Sequence, residues 1–407
     1  MEKIRVCLWA TTLQANIWSL AKYLSQDEKF EIVVVTEGAE RWRSEPITTV
    51  FPPMFEVLDK NASETLRFLK NEFHPQVTVV DNHYPPSKLS PFLINVWHGF
   101  GWKGPEDRAA FNTVFKNVKK LTGISPERPN PYFRFISAGE TNRDYRIHVT
   151  EFAPENVLPL GQAFTDDIVR NDIKRQEIEK FYSESFIGHK ICLFAPTWHF
   201  GRIFSHLGDD IEILGRIFDT LERLECALIL RMHDRNRFDP AYLHALQSLV
   251  SRHPLVMMKY KDMDRDNLLD ISVSDVMMSN YSSILTFFYG TSRPSIHIYP
   301  VDKRREASYY RVWKNGAVQL KKAPEDSYIW SLPPEENGGL VAASVEEIEA
   351  ALEQALTDPS CCVEKSRRFI ENHTAPYDGR VCENIAGEII DMVETTPAAK
   401  PKRFPWL

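Results

Sequence analysis

The chain has 407 residues, of which 43% are hydrophobic and 26% charged, and its formal net charge is −7. That length is more than one core usually holds, so two domains are expected, and the composition is that of a globular protein. The acidic balance speaks against a general nucleic-acid binder, and no apolar run approaches the ~20 residues of a membrane-spanning helix.

At the start, Glu2, Lys3 and Arg5 surround a short apolar run that lacks the apolar core and cleavage site of a signal peptide, so a cytoplasmic or at most peripheral protein is expected. Short β-rich runs follow at residues 4–9, 31–36, 77–81, 93–96 and 133–138, with helical patterns between them at 17–24 and 62–72. This alternation builds a parallel sheet. A charged helix is expected over 172–182. A second series then begins at 191–195 and continues through 228–231, 255–259, 276–278 and 296–299, which points to a second sheet of the same kind.

Near the end, Ser344 and Glu347 have capping-box spacing for a helix over 345–356, and a last helix is expected over 381–393. The tail from Lys400 to Leu407 is basic, aromatic and broken by proline. It reads as a flexible end, with a weak membrane-surface contact as the alternative. The cysteines Cys7, Cys192, Cys226, Cys361, Cys362 and Cys382 show no zinc spacing and read as buried thiols of a reducing compartment.

Four strand ends carry chemistry. The strand ending Asn95-Val96-Trp97-His98-Gly99 delivers a histidine into a glycine-containing loop, and Leu230-Arg231-Met232-His233-Asp234 delivers an arginine and a histidine. The run 191–195 ends in Pro196-Thr197-Trp198-His199. After Val276-Met277-Met278 comes the turn Ser279-Asn280-Tyr281-Ser282-Ser283, whose hydroxyls and free backbone N–H groups suit an anion, although ordinary helix capping would use the same residues. Ligands of open α/β sheets bind beyond the carboxyl ends of strands, so the four ends suggest one shared crevice.

If the anion in such a crevice is a phosphate to be transferred, the site needs a base for the attacking hydroxyl and fixed donors on the phosphates. His98 suits the first role; His233, Arg231, Ser282 and Ser283 suit the second, with Thr197 at the floor of the cleft and Ser279 and Tyr281 in the same turn. Lys103, His199 and Asp275 are further candidates. His74, His148, His244 and His253 read as packing or surface residues. Gly99, Gly101 and Gly104 match a dinucleotide fingerprint, but no acidic residue follows about twenty positions on, so the glycines are assigned to flexibility beside His98. Asp209-Asp210 reads as a solvated pair, and with Asn280 in the hydroxyl turn and no DxD pattern beside it, a site without metal or other cofactor is expected.

Trp97-His98-Gly99-Phe100-Gly101-Trp102-Lys103 resembles the Trp-His-Gly-Thr-Pro-Leu-Lys motif of CDP-glycerol glycerophosphotransferases, the teichoic acid primases and polymerases. Ala195-Pro196-Thr197-Trp198 is similar to that family's Ala-Pro-Thr-Trp, and Ser279-Asn280-Tyr281-Ser282-Ser283 to its Thr-Asp-Tyr-Ser-Ser. The stretch 158–167, with Gly161 and Asp167, is similar to its Gly-Tyr-Pro-Arg-Asn-Asp, and Gly338-Gly339-Leu340-Val341 and Asp378-Gly379-Arg380 to its closing segments. The chain departs from the family at Phe100 and Gly101 (for Thr and Pro), at His199 (for Arg), at Asp234 (for Pro), and at Asn280 and Phe287 (each for Asp).

The resemblance implies an α/β protein of GT-B type, with two Rossmann-like domains facing an interdomain cleft and a C-terminal helix crossing back. On this division residues 1–170 form an acceptor domain, 171–188 a linker helix, 189–375 a nucleotide-binding domain, 376–395 the crossing helix and 396–407 the tail. It further implies a nucleotide-activated polyol donor such as CDP-glycerol, a lipid-linked or polymeric glycan acceptor, and release of CMP. Two alternatives stand beside it. One is a nucleotide-sugar glycosyltransferase or epimerase, with Asp275 or Glu306 on the ribose; the other is a scaffold without turnover.

Overall fold

The computed structural model describes residues 2–11, 13–97, 99–102, 107–170, 173–197, 203–204, 207–232, 240–260, 266–280, 282–299, 309–314, 317–322, 332–374 and 376–397. The first sheet comprises β1 (Ile4–Trp9), β2 (Phe30–Thr36), β3 (Glu56–Asp59), β4 (Val77–Val80), β5 (Phe92–Asn95), β6 (Phe133–Ile136) and β7 (Val157–Leu158). Its strands are all parallel, in the order β3-β2-β1-β4-β5-β6-β7. The second sheet comprises β8 (Lys190–Phe194), β9 (Cys226–Arg231), β10 (Val256–Lys259), β11 (Val276–Ser279) and β12 (Ser295–Ile298). After an antiparallel hairpin of β13 (Tyr309–Lys314) and β14 (Ala317–Lys322), it closes with β15 (Leu340–Ala342), in the parallel order β10-β9-β8-β11-β12-β15. Helices cover both faces, which is why these strands read as nearly unbroken apolar runs. Together the two doubly wound sheets and the cleft between them make a GT-B fold.

In each sheet the strand order reverses once, between β1 and β4 in the first and between β8 and β11 in the second, and the loops beyond those points form the ligand crevices of such sheets. One hydrophobic cluster runs from β1 and helix Ala15–Gln26 through helices Phe164–Arg170 and Val381–Thr395 to β8 and helix Ile284–Tyr289. The last helix therefore returns to the first sheet. Its apolar face buries Val381, Cys382, Ile385, Ala386, Ile389 and Met392, and Glu388 accepts a 2.7 Å bond from Arg134 of β6.

The start of that helix has no cap of its own: Asp166 supplies one from 215 residues away, accepting from the backbone N–H of Val381 (3.0 Å) and of Cys382 (2.8 Å). Helix Val345–Thr357 is capped locally as its sequence suggests, with Ser344 accepting from Glu347 N–H at 3.1 Å.

Two expectations need correction. The linker helix over 172–182 reduces to a four-residue turn of helix, Arg175–Ile178, and a 3₁₀ turn, Glu179–Phe181. Only Ile178 of that helical turn is buried, and Arg175 is drawn to Glu179, to Asp275 and to the His189 carbonyl. Asp209 does cap helix Asp210–Arg223, but Asp210 is buried rather than solvated, accepting from the backbone N–H groups of Ile203 and Phe204 and from the Tyr242 hydroxyl. Burial pushes its carboxyl above the usual range.

Asp166 is 1% exposed, so Asp166→Ala leaves two donors unpaired at the root of the crossing helix. Urea denaturation should show a loss of about 1–2 kcal/mol, with Asp166→Asn retaining part of it.

Candidate active site

The second sheet's reversal point is built around Asn280, which is fully buried. Its Oδ1 accepts from Thr197 N–H at 2.7 Å, and its Nδ2 donates to the carbonyls of Thr197 (3.1 Å) and Ile203 (3.4 Å). The loop after β8 is thereby stitched to the turn after β11. Ser279, also fully buried, donates its hydroxyl to the Ala195 carbonyl at 2.6 Å and belongs to the same stitching. Ser282 and Ser283 are half-buried, at the start of helix Ile284–Tyr289. Ser283 does not cap that helix through its side chain; its hydroxyl leaves the second sheet altogether and donates to the Phe100 carbonyl at 2.7 Å.

Two sequence motifs 180 residues apart thus meet. A Cβ on Gly99 would lie 2.4 Å from Ser283 Oγ and 2.7 Å from Ser283 Cβ, so no side chain fits there. Close approach to the hydroxyl turn, not the flexibility expected from sequence, is what requires this glycine. Trp97, on the other side of His98, is held at φ +47°. Its N–H donates to Asn95 Oδ1, its carbonyl accepts from Asn16 Nδ2, and its ring stacks on Phe111 at 5.0 Å. Asn16 in turn accepts from Phe164 N–H at 3.0 Å. A non-glycine residue in the left-handed region is a form of strain that clusters at functional sites.

The reversal point of the first sheet faces the same crevice. Thr11, just past β1, donates to Asp81, just past β4, through both its backbone N–H and its hydroxyl. Ala15 N–H reaches across to Asp266 Oδ2 at 3.3 Å, while Leu268 N–H donates to Oδ1 of the same carboxylate.

Not every expected residue joins the site. Arg231 lies at the end of β9, but its guanidinium donates at 2.6 Å to Asp270, which also accepts from Lys259 and from the Tyr182 hydroxyl. Burial alone would raise the Asp270 carboxyl, but Lys259 and Arg231 outweigh it and hold it below the usual range. Asp275 precedes β11 and lies at the sheet's amino edge, accepting from Arg175 and from Ile191 N–H, so it does not reach a ribose in the crevice. A cavity of about 750 Å³ near that edge contains Arg175, Arg293 and Arg367, each already committed: Arg293 to the carbonyls of Ile271, Ser272 and Ser274, Arg367 to Glu364 and Glu371. His98, Lys103, Gly104, His199, His233, Asp234, Tyr281 and Glu306 lie outside the described residues, as does the tail from 398 onward.

Sequence reasoning missed Asn16, Asp81, Asp166 and Asp266. Asn16 left a faint signal, as a polar residue on the apolar face of its helix; the others depend on partners 70 to 251 residues away.

No family model matches the chain, and no curated protein matches it in sequence. Among solved structures, a histidine-to-alanine variant of the wall teichoic acid polymerase TagF superposes with a TM-score of 0.68 at 15% identity, covering 97% of this chain and 90% of that one. A UDP-N-acetylglucosamine 2-epimerase gives 0.57 at 12% identity, covering 96% of each chain. The S. aureus MnaA–UDP structure gives 0.58 at 14%, covering 99% of this chain and 100% of that one. These likenesses establish the fold. No helix among the described residues is long and apolar enough to cross a membrane.

The Asn280 geometry explains one departure from the related motif: a carboxylate would face the Thr197 and Ile203 carbonyls with nothing to donate. Asn280→Asp should therefore destabilise the fold by about 1–3 kcal/mol at neutral pH. Burial against carbonyls raises the new carboxyl's pKa in the folded state. The penalty should then shrink as pH falls towards its unfolded value of about 4, where a protonated side chain can donate again. Melting curves across pH 4–8 check this, and a pH-independent loss would contradict it.

Proposed function

We propose that this chain transfers glycerol phosphate, or a related polyol phosphate, from a CDP-alcohol to a hydroxyl of a lipid-linked or polymeric glycan, releasing CMP. The observation that carries the reading is the meeting of Gly99 with Ser283. It brings the histidine-bearing loop of the first sheet against the hydroxyl turn of the second, as a shared phosphate site requires. The fold likeness to TagF, one form of which was soaked with CDPG, supports the donor class.

In this mechanism the acceptor oxygen attacks the phosphorus that bears the polyol. The bond from that phosphorus to the bridging oxygen breaks, and CMP departs with that oxygen. His98 takes the acceptor proton, and Ser282, Thr197 and His233 supply donors to the phosphates, so the protein's work is positioning and charge stabilisation. Arg231 is tied to Asp270 at the end of β9. Tyr281 is counted with the phosphate-binding turn, and Lys103 and His199 are further candidates. The reading needs no metal, because Asn280 stands where the related motif has Asp and its amide is consumed within the protein. A lipid-linked acceptor must be met at a bilayer surface, a contact assigned to residues 400–407. A nucleotide-sugar enzyme would need an acid on the ribose; of the two candidates Asp275 is committed elsewhere, and Glu306 lies outside the described residues.

CDP-glycerol should raise the melting temperature without added metal, more than UDP-N-acetylglucosamine does, and Ser282→Ala should reduce the shift. With acceptor present, CMP should be released. His98→Ala should cut turnover by ~10²–10⁴-fold at similar donor affinity, while His233→Ala should weaken both. A larger response to the UDP-sugar would favour the epimerase reading, and donor binding without CMP release would favour the scaffold.

A further inference from the structure

Segment 99–102 crosses from the first sheet and ends inside the second lobe. Phe100 and Trp102 are 7% and 2% exposed and pack together at 5.0 Å. Phe369, on helix Val363–Phe369, receives both rings, Phe100 at 5.5 Å and Trp102 at 5.3 Å, and is backed by Tyr289 and His373, each at 4.9 Å. Trp102 also meets the His297 ring edge-on at 4.9 Å. His297 sits on β12, where it pairs with Ser279 of β11, the residue before Asn280 in the hydroxyl turn. Two separate paths therefore join this segment to the phosphate turn. One is rigid, through the rings of Trp102 and His297 and the pairing of His297 with Ser279; the other is a single hydroxyl, from Ser283 to the Phe100 carbonyl.

Resting on the phosphotransferase reading above, we infer that segment 99–102 is an aromatic plug that aims the His98 loop, with Trp102 and Phe369 as positioning residues and the Ser283 hydroxyl as its exchangeable tie. A hydroxyl has one proton to donate. A donor phosphate that takes it from Ser283 must release the Phe100 carbonyl, whereas the aromatic seat makes no hydrogen bond that the phosphate competes for. Donor binding then loosens one end of the plug while the other stays anchored, which couples an occupied phosphate site to a shift of Gly99 and of the histidine beside it. The plug lies at Phe100 and Gly101, two of the positions where the chain departs from the related motif.

The test uses the full chain. Trp102 Nε1 has no hydrogen-bond partner among the described residues, so Trp102→Phe keeps an aromatic edge and loses none of the described bonds, whereas Trp102→Leu removes the aromatic contacts. A misplacement of about 1 Å costs a positioned group ~10²-fold, so Trp102→Leu should lower kcat by about that factor, with KM for CDP-glycerol within about twofold. Trp102→Phe should restore kcat to within about threefold of the parent. In the ligand-free protein, backbone hydrogen exchange over 99–102 should rise in Trp102→Leu and in Ser283→Ala but not in Trp102→Phe. An unchanged kcat in Trp102→Leu overturns the proposal, as does a Trp102→Phe variant as impaired as Trp102→Leu, or exchange that is equal in all variants. If the parent protein shows no turnover of CDP-glycerol, the phosphotransferase reading falls, and the ligand-free exchange decides on the plug by itself.

Discussion

Between the Phe100 carbonyl and the Ser283 hydroxyl, the ligand edges of two separate sheets come within one hydrogen bond. Much of the site's geometry depends on that approach. It requires a residue without a side chain at 99, and it turns Ser283 away from capping its own helix. It also depends on what lies behind it. Asn280 holds the turn to β8, and Asn16 with Asn95 fixes the backbone of Trp97 in an unfavourable region. Each of these amides is buried with its bonds made, so what the structure can gain from them is geometric definition; an unmade bond would cost more than a made one contributes.

Three of the departures from the related motifs become intelligible as contacts within the protein, two of them between the lobes and one, Asn280, inside the second lobe. Phe287, in place of an acid, packs edge-on against Phe164 at 4.7 Å and is 4% exposed. A carboxylate there would be stripped of water beside a phenyl ring. Phe100 is received by Phe369, and Asn280 serves two carbonyls that an aspartate could not. Polar groups expected to face a ligand have been replaced by groups that face the protein, which makes the contact between the lobes more apolar and more closely fitted. Since a single hydrophobic cluster already runs through both lobes, opening the cleft widely would expose rings such as Phe287 and Phe164, and small adjustments of loops are the less expensive motion.

Which parts of this were readable in the sequence follows from range. Strands such as β1, β9 and β11 announce themselves because a run buried on both faces is apolar throughout. β7 has two residues, β15 has three and β3 shows mixed burial, so none carries enough periodic signal. Asp275 was misjudged although its position was informative: a residue that precedes a parallel strand lies at the amino edge, away from the ligand. Asp166 and Asp266 were invisible because an N-cap or a bridge supplied from more than 200 residues away leaves no local pattern. The linker failed as a helix for the opposite reason. Its local pattern was favourable, but the ion pairs of Arg175 and the single buried Ile178 do not sustain three turns.

His297 bears on where the proton chemistry can reside. It lies at the carboxyl edge of the second sheet, next to the hydroxyl turn, and by position alone would rank as a third candidate base. Burial under Trp102 pushes its pKa down to about 3, although the Asn280 backbone works in the opposite sense. At neutral pH the ring is therefore uncharged, and it would hold an abstracted proton about four units too weakly, where an efficient base is poised near 7. Its neutral form is what the site can use. An uncharged ring can lie against an indole edge, and an imidazolium there would have to be stripped of water. The role left to His297 is mechanical: its ring meets Trp102 and its strand pairs with Ser279, at the start of the turn that bears Ser282.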